Sequence, residues 1–233
     1  MELKWRNKMD YSSKMNYNNK ILIITGGNID YIWAGNWLKE RKYDYCIAAD
    51  SGLVHADKLG IKVDFILGDY DSVDTGVLEE YKKNTDVVKY PTEKDFTDTH
   101  LAIIKALQNG ADRIDIIGAT GSRYDHAMTN IFNMKAALDS GVECNIYDKY
   151  NKIYLIDEQT GKYEISKENQ YGKYVSFVPM TENVKLSLSG FKYELNDYDL
   201  KQGLSICQSN EVINEVGTVN ITKGIVIAFE TRD

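Results

Sequence analysis

Four consecutive branched apolar residues, Ile21-Leu22-Ile23-Ile24, run into Thr25-Gly26-Gly27. An unbroken apolar run that stops at a turn predicts a strand buried on both faces. The pattern then alternates. It predicts helix 30–40, strand 45–50, helix 52–59, strand 65–68, helix 75–82, strand 87–90 and helix 97–108. After a turn at Asn109-Gly110 come strand 113–118 and a single helix over 124–139. Strands alternating with helices of this length need right-handed crossovers, so the expected sheet is mostly parallel with helices on both faces. From about residue 142 the texture changes to short alternating runs, at 142–147, 153–156, 174–178, 184–188, 216–221 and 225–229. Turns at Thr160-Gly161, Ser189-Gly190 and Lys223-Gly224 separate them. Such runs predict an antiparallel sandwich or barrel, of which the sandwich is taken as the expectation. The fold class expected is therefore α/β plus all-β. Residues 1–19 form an N-terminal extension, disordered and outside the fold. An α/β domain covers 20–145 and a β-sandwich domain covers 146–233.

Composition narrows the function. The 233 residues are 43% hydrophobic and 27% charged, ordinary values for a folded protein. Lys and Arg total 28 against 35 Asp and Glu, a net charge of −7, which argues against a nucleic-acid partner. No apolar run approaches the ~20 residues of a membrane span, and residues 1–20 lack a signal-peptide core. Cys46, Cys144 and Cys207 are odd in number and far apart, with no Cys-x-x-Cys pair. A disulfide framework is not expected, and a cytoplasmic location is.

The polar clusters fall where an open parallel sheet binds ligands, at the carboxyl ends of its strands. They are Gly26-Gly27, Asp50-Ser51-Gly52, Gly68-Asp69-Tyr70-Asp71-Ser72 and Gly118–Asp125. Asp69 and Asp71, one residue apart after an apolar strand, can converge on Mg²⁺, which prefers oxygen ligands beside substrate phosphates. A solvated turn capping the next helix would look the same. Lys94-Asp95-Phe96-Thr97-Asp98 opens another helix, where Asp98 can join the metal and Lys94 a polyphosphate. Thr97 and Asp98 equally suit a plain helix cap. Taken together, the acidic clusters favour a shared Mg²⁺–phosphate site. In Gly121-Ser122-Arg123-Tyr124-Asp125-His126, Arg123 offers a planar fork for phosphate oxygens. Asp125 can hold Arg123 or cap the next helix, and His126 reads as a structural histidine. No P-loop motif occurs in the chain.

In this order and spacing, with Ser209-Asn210-Glu211 further on, the motifs resemble those of the thiamine pyrophosphokinase family over roughly residues 20–233. The resemblance implies a diphosphoryl transfer from ATP to thiamine, with Mg²⁺ as cofactor and AMP released. It implies Asp69, Asp71 and Asp98 as catalytic metal ligands, with Asp95 as an additional one. Asp50, Ser51, Gly52, Lys94, Thr97, Arg123, Asp125 and His126 would serve ATP, and Ser209 and Asn210 thiamine. It also implies a homodimer, with each thiamine between the α/β domain of one subunit and the β domain of the other. Departures from the family pattern are Ser51, Val54, Tyr70 and Ser122. Without the resemblance, the Asp-x-Asp turn also suits a glycosyltransferase or a phosphohydrolase, and the whole set suits a non-catalytic thiamine- or nucleotide-binding sensor. A pterin pyrophosphokinase shares the chemistry but predicts no Ser-Asn-bearing β domain.

Overall fold

The computed structural model describes residues 19–68, 81, 85–89 and 96–233. Six strands pair in parallel: β1 (Lys20–Ile24), β2 (Tyr45–Ala49), β3 (Phe65–Gly68), β4 (Asp86–Lys89), β5 (Arg113–Ile117) and β6 (Glu143–Tyr147). Their lateral order is β4-β3-β2-β1-β5-β6. From β1 the chain steps outward three times on one side, then returns to place β5 on the other. The direction of winding therefore reverses between β1 and β5, and the crevice at that reversal is where such sheets bind ligands.

Alternate residues of β1 explain the layering. Ile21 and Ile23 join the core shared with α3 (Asp98–Gln108), α4 (Tyr124–Asn133) and α5 (Lys135–Leu138). Leu22 and Ile24 join the opposite core, under α1 (Tyr31–Lys39) and α2 (Gly52–Leu59). Burial on both sides is why the run is uninterrupted in sequence. Asp30 caps α1 by accepting from the Ile32 and Trp33 amides. The single helix expected over 124–139 is two. At Met134 the backbone tightens to an i−3 bond with Ile131, so α4 ends and α5 begins with that buried side chain as the joint. Of the expected extension 1–19, residues 1–18 lie outside those described, whereas Asn19 belongs to the fold: its amide donates to Asp112 Oδ2 and its Nδ2 to the Asn109 carbonyl, both at 2.9 Å. The expected helix 75–82 falls, except for Tyr81, on residues outside those described.

The second half contains β7 (Asn151–Asp157), β8 (Lys162–Ser166), β9 (Tyr174–Pro179), β10 (Val184–Ser189), β11 (Leu195–Leu200), β12 (Val216–Lys223) and β13 (Ile225–Thr231). Strands β7, β13 and β9 extend the long sheet antiparallel beyond β6, making nine strands in all. The other four form a second sheet in the order β11-β10-β12-β8. Tyr154, Ile156, Phe177 and Val226 of the long sheet pack on Leu186, Leu188, Val219 and Ile221 of the short one. This is a sandwich, but one of its layers is the antiparallel end of the long sheet whose other strands are parallel. One expectation needs correction: the run at 142–147 pairs parallel to β5 rather than antiparallel. The division expected at 145/146 falls within β6, and the sheet continues across it by edge pairing. Among the described residues no helix is long and apolar enough to cross a membrane.

Candidate active site

The loops after β1, β2 and β5 and the last residue of β3 meet at the reversal point with almost no space between their backbones. Gly27 N–H donates to the Gly118 carbonyl at 2.7 Å and Asn28 N–H to the Thr120 carbonyl at 2.9 Å. A Cβ on Gly27 would lie 2.3 Å from both carbonyl oxygens. The glycine turn after β1 thus spends these amides on the β5 loop, and its glycine serves close packing rather than a phosphate cradle. On the other side, a Cβ on Gly52 would lie 2.0 Å from the Ile24 carbonyl oxygen. The start of α2 is pressed against the end of β1, so Gly52 acts here through backbone approach. Ser51 stands at the N-cap of α2, but its side chain caps no amide. Asp50, before it, has φ +52° and donates its amide to the Leu67 carbonyl at 2.8 Å. A non-glycine residue in the left-handed region is held there at a cost, and such positions cluster at functional sites. Among the described residues there are four, and two of them, Asp50 and Ser209, are residues the sequence motifs single out.

Thr97 caps α3 by accepting from the His100 amide at 3.3 Å, and Asp98 lies half-buried in the first turn. Both roles open to this pair from sequence, cap and acidic ligand, are compatible with that geometry. Asp69, Asp71, Lys94 and Asp95 lie outside the described residues. Among the described residues no three His, Cys, Asp or Glu side chains cluster tightly enough to hold a metal. The donor chemistry nonetheless fits a hard cation. Asp98 is an oxygen donor at a helix start beside the crevice, and β3, which leads into Gly68-Asp69, ends against Asp50.

Arg123 precedes α4 at the carboxyl end of β5. Its Nη2 donates to Asp125 Oδ2 at 2.6 Å and its Nε to Oδ1 at 3.3 Å, a forked pair open to solvent. This contact holds the Asp125 carboxyl below its usual range and raises the guanidinium above its own. Of the two roles open to Asp125, the structure has it holding Arg123. His126 is not the structural histidine expected: its side chain is 60% exposed, with Nε2 3.9 Å from Asp125 Oδ2. Arg123, Asp125 and His126 thus form one exposed polar group at the mouth of the crevice. Behind it the loop is fastened twice. Asn130 Nδ2 donates to the Ala119 carbonyl at 2.9 Å, and Thr120 Oγ1 donates to Asp148 Oδ2 at 2.9 Å.

Ser209 and Asn210 behave differently from each other. Ser209 is exposed, has φ +51°, and its amide donates to Ser176 Oγ of β9 at 2.9 Å. Asn210 is only 1% exposed. Its Oδ1 accepts from the Tyr193 amide at 3.0 Å and the Glu211 amide at 3.0 Å, while Nδ2 donates to the Tyr193 carbonyl at 2.8 Å. The carboxamide expected to read an aminopyrimidine is in this chain buried and spent clasping two loops. Next to Ser209 lies a groove of about 250 Å³ lined by Phe177, Pro179, Gln202, Leu204, Ile206 and Gln208. Nothing in the sequence pattern marked it, because its lining comes from one strand and an irregular loop.

The two polar groups sit at one level of the sheet but far apart along it. Register runs from Ile116 through Ile146, Ile153 and Phe229 to Ser176. Four strand spacings separate the end of β5 from the Ser209 anchor, about 19 Å at ~4.8 Å each.

Two family models match the chain: the thiamin pyrophosphokinase catalytic domain over residues 38–146, and the thiamin pyrophosphokinase vitamin B1 binding domain over 162–226. A thiamine pyrophosphokinase of Bacillus subtilis is 35% identical over 189 residues, 80% of this chain and 87% of that one. The crystal structure of a Bacillus subtilis thiamine pyrophosphokinase superposes with a TM-score of 0.82 at 32% identity, covering 92% of this chain and all of that one. The structure from Geobacillus thermodenitrificans gives 0.77 at 28% identity, covering 92% of this chain and 98% of that one. Motif order, fold and both halves of the chain agree: the chain belongs to the thiamine pyrophosphokinase family.

Proposed function

We propose that this protein transfers a diphosphoryl group from ATP to the hydroxyethyl oxygen of thiamine, releasing AMP. The observation that carries the reading is that Asp50, Asp98 and the Arg123–Asp125 pair all stand at the carboxyl end of the parallel sheet in a chain belonging to this family. The thiamine oxygen attacks the β-phosphorus, the bond from that phosphorus to the α–β bridging oxygen breaks, and AMP departs. Little covalent work falls to the protein in such a transfer; positioning and charge neutralisation do most of it. Asp69, Asp71 and Asp98, with Asp95 beside them, would hold Mg²⁺, which when bound neutralises polyphosphate charge. Arg123 and Lys94 would bind the polyphosphate oxygens, with Asp125 aiming the Arg123 fork. Asp50, Ser51, Gly52, Thr97 and His126 would line the nucleotide side. Incubation with ATP, Mg²⁺ and thiamine should yield AMP and thiamine diphosphate in equal amounts. ADP as the product, or no thiamine-dependent AMP, would overturn the reading.

On this reading thiamine meets Ser209 and the neighbouring groove, with Asn210 as the residue that shapes them. Asn210→Ala removes three hydrogen bonds within the chain, each typically ~0.5–1.5 kcal/mol. Part of that loss falls on loop order, so thiamine affinity should fall about three- to tenfold or more, with Mg²⁺-bound ATP analogue affinity unchanged. Calorimetry on the two ligands separates the effects. An unchanged thiamine constant beside a weakened nucleotide constant would assign the second half differently.

A homodimer with composite sites is part of the same proposal, supported by the four strand spacings, about 19 Å, between the strands that carry the two groups in one chain. The exposed apolar residues of α4, Tyr124 (81% exposed), Met128 and Phe132, support a covered face next to Arg123. Leu204, Ile206 and Ile213 of the second half are exposed as well. Sedimentation at micromolar concentration should give twice the chain mass; an active monomer would sink the proposal.

A further inference from the structure

The first turn of α3 carries Asp98, and three polar side chains outside the family motifs fix where that turn sits. On one side, Thr99 Oγ1 lies 3.2 Å from Thr25 Oγ1, a hydroxyl pair in which both residues are more than nine-tenths buried. Thr25 is the first residue after β1, and Thr99 immediately follows Asp98. On the other side, Asn133 Nδ2, at the last residue of α4, donates to Thr97 Oγ1 at 3.1 Å. The same helix holds the β5 loop through Asn130 and the Ala119 carbonyl, four residues before Arg123. Thr97, Asp98 and Thr99 are thus tied to β1 by one bond and to α4 by another, while α4 also fastens the loop that leads to Arg123.

We infer that Thr25, Thr99 and Asn133 are positioning residues that set the distance between Asp98 and the Arg123 group. The inference rests on the proposed diphosphoryl transfer. Apolar side chains would fill the Thr25–Thr99 site as well, and the core on that face of the sheet is apolar: Ile23, Ala102 and Ile103 are all fully buried. A buried hydroxyl pair in such a place adds direction rather than volume. It fixes two oxygen atoms near 3 Å, whereas a methyl pair rests further apart and slides. Displacements of about 1 Å remote from the reacting atoms can cost about 10²-fold in rate.

The decisive variant is Thr25→Val combined with Thr99→Val. Replacing both partners of a buried hydrogen bond by apolar groups of the same shape is nearly neutral for stability. The double variant should therefore melt like the wild type, yet lose about tenfold in kcat with an unchanged KM for thiamine. Binding gives the readout independent of turnover. Calorimetry with α,β-methylene ATP should show an Mg²⁺ requirement several-fold higher than in the wild type. Thr99→Ser, which keeps the hydroxyl, should retain wild-type kcat and Mg²⁺ requirement, and Asn133→Ala should reproduce the double variant's kcat loss. If the double valine variant keeps wild-type kcat and Mg²⁺ requirement, or loses them only in proportion to a lowered melting temperature, the positioning role is overturned. A wild-type protein that neither binds the analogue with Mg²⁺ nor makes AMP would overturn the proposed transfer itself, a separate outcome.

Discussion

Asp98→Asn is expected to lower diphosphoryl transfer by about 10³-fold while leaving the fold intact. The substitution keeps the volume and one carbonyl acceptor but removes the negative charge from the first turn of α3. A cation held by these carboxylates would supply several kcal/mol of charge stabilisation, and each ~1.4 kcal/mol is tenfold in rate. Loss of one carboxylate ligand forfeits much of that. Stability should change little, because Thr97 still caps the helix and an acidic residue near a helix start contributes only about 0.3–1 kcal/mol. Asp71→Asn should lose turnover on the same scale. On the proposed reading both would remove ligands of one ion, so the two substitutions should not add. Turnover against Mg²⁺ concentration, with a melting curve for each variant, tests this. A folded Asp98→Asn protein that turns over normally would remove Asp98 from the metal site.

The parallel half was legible because double-sided burial leaves a mark that single-sided burial does not. Ile21–Ile24, Ile47–Ala49 and Ile114–Ile117 sit between two helical layers, and no polar residue except Asp115 interrupts them. The break at Met134 was not legible, since Met is a good helix former and the residues on both sides keep helical spacing. Strands β8 and β11 escaped for the opposite reason. Leu195–Leu200 reads Leu-Asn-Asp-Tyr-Asp-Leu and forms an edge of the short sheet, where charged residues are tolerated and guard against further pairing. The continuity of the long sheet through β6 was also hidden: edge pairing between backbones carries no side-chain signature.

Legibility at the site divides along similar lines. Residues whose function needs a rare type at a fixed spacing, such as Arg123 and Asp125, stood out and proved to be paired. Thr25, Thr99, Asn130 and Asn133 did not, because an isolated Thr or Asn beside an apolar run reads like a solvent-facing position. Only the fold shows that their side chains point at other loops. Asn210 shows the converse error. A Ser-Asn pair suggests an exposed, ligand-reading turn, yet the positive φ of Ser209 turns it outward and buries its neighbour.

Gly27→Ala should be strongly damaging, although it adds only one methyl to the described site. The added carbon would meet two carbonyl oxygens at 2.3 Å, and neither belongs to a flexible side chain. The Gly118 and Thr120 carbonyls are the acceptors that bind the β1 turn to the β5 loop, so relieving the clash means stretching both bonds. Overpacking of a rigid site typically costs about 1–3 kcal/mol, and a strained hydrogen bond about 1 kcal/mol more. A loss near 4 kcal/mol at about 2–4 °C per kcal/mol for a chain of this size lowers the melting temperature by about 8–16 °C. Below that temperature the surviving folded protein should still be slow, because the displaced loop leads to Arg123 while the β1 side holds Gly52 and Asp50. Gly35→Ala is the matched control. Gly35 lies inside α1 with open space around it, so the same methyl should leave turnover unchanged and stabilise by about 0.4–1 kcal/mol. Scanning calorimetry and turnover on both variants distinguish the cases. If Gly27→Ala melts and turns over like the wild type, the β1 and β5 loops are not the rigid frame on which the site's geometry depends.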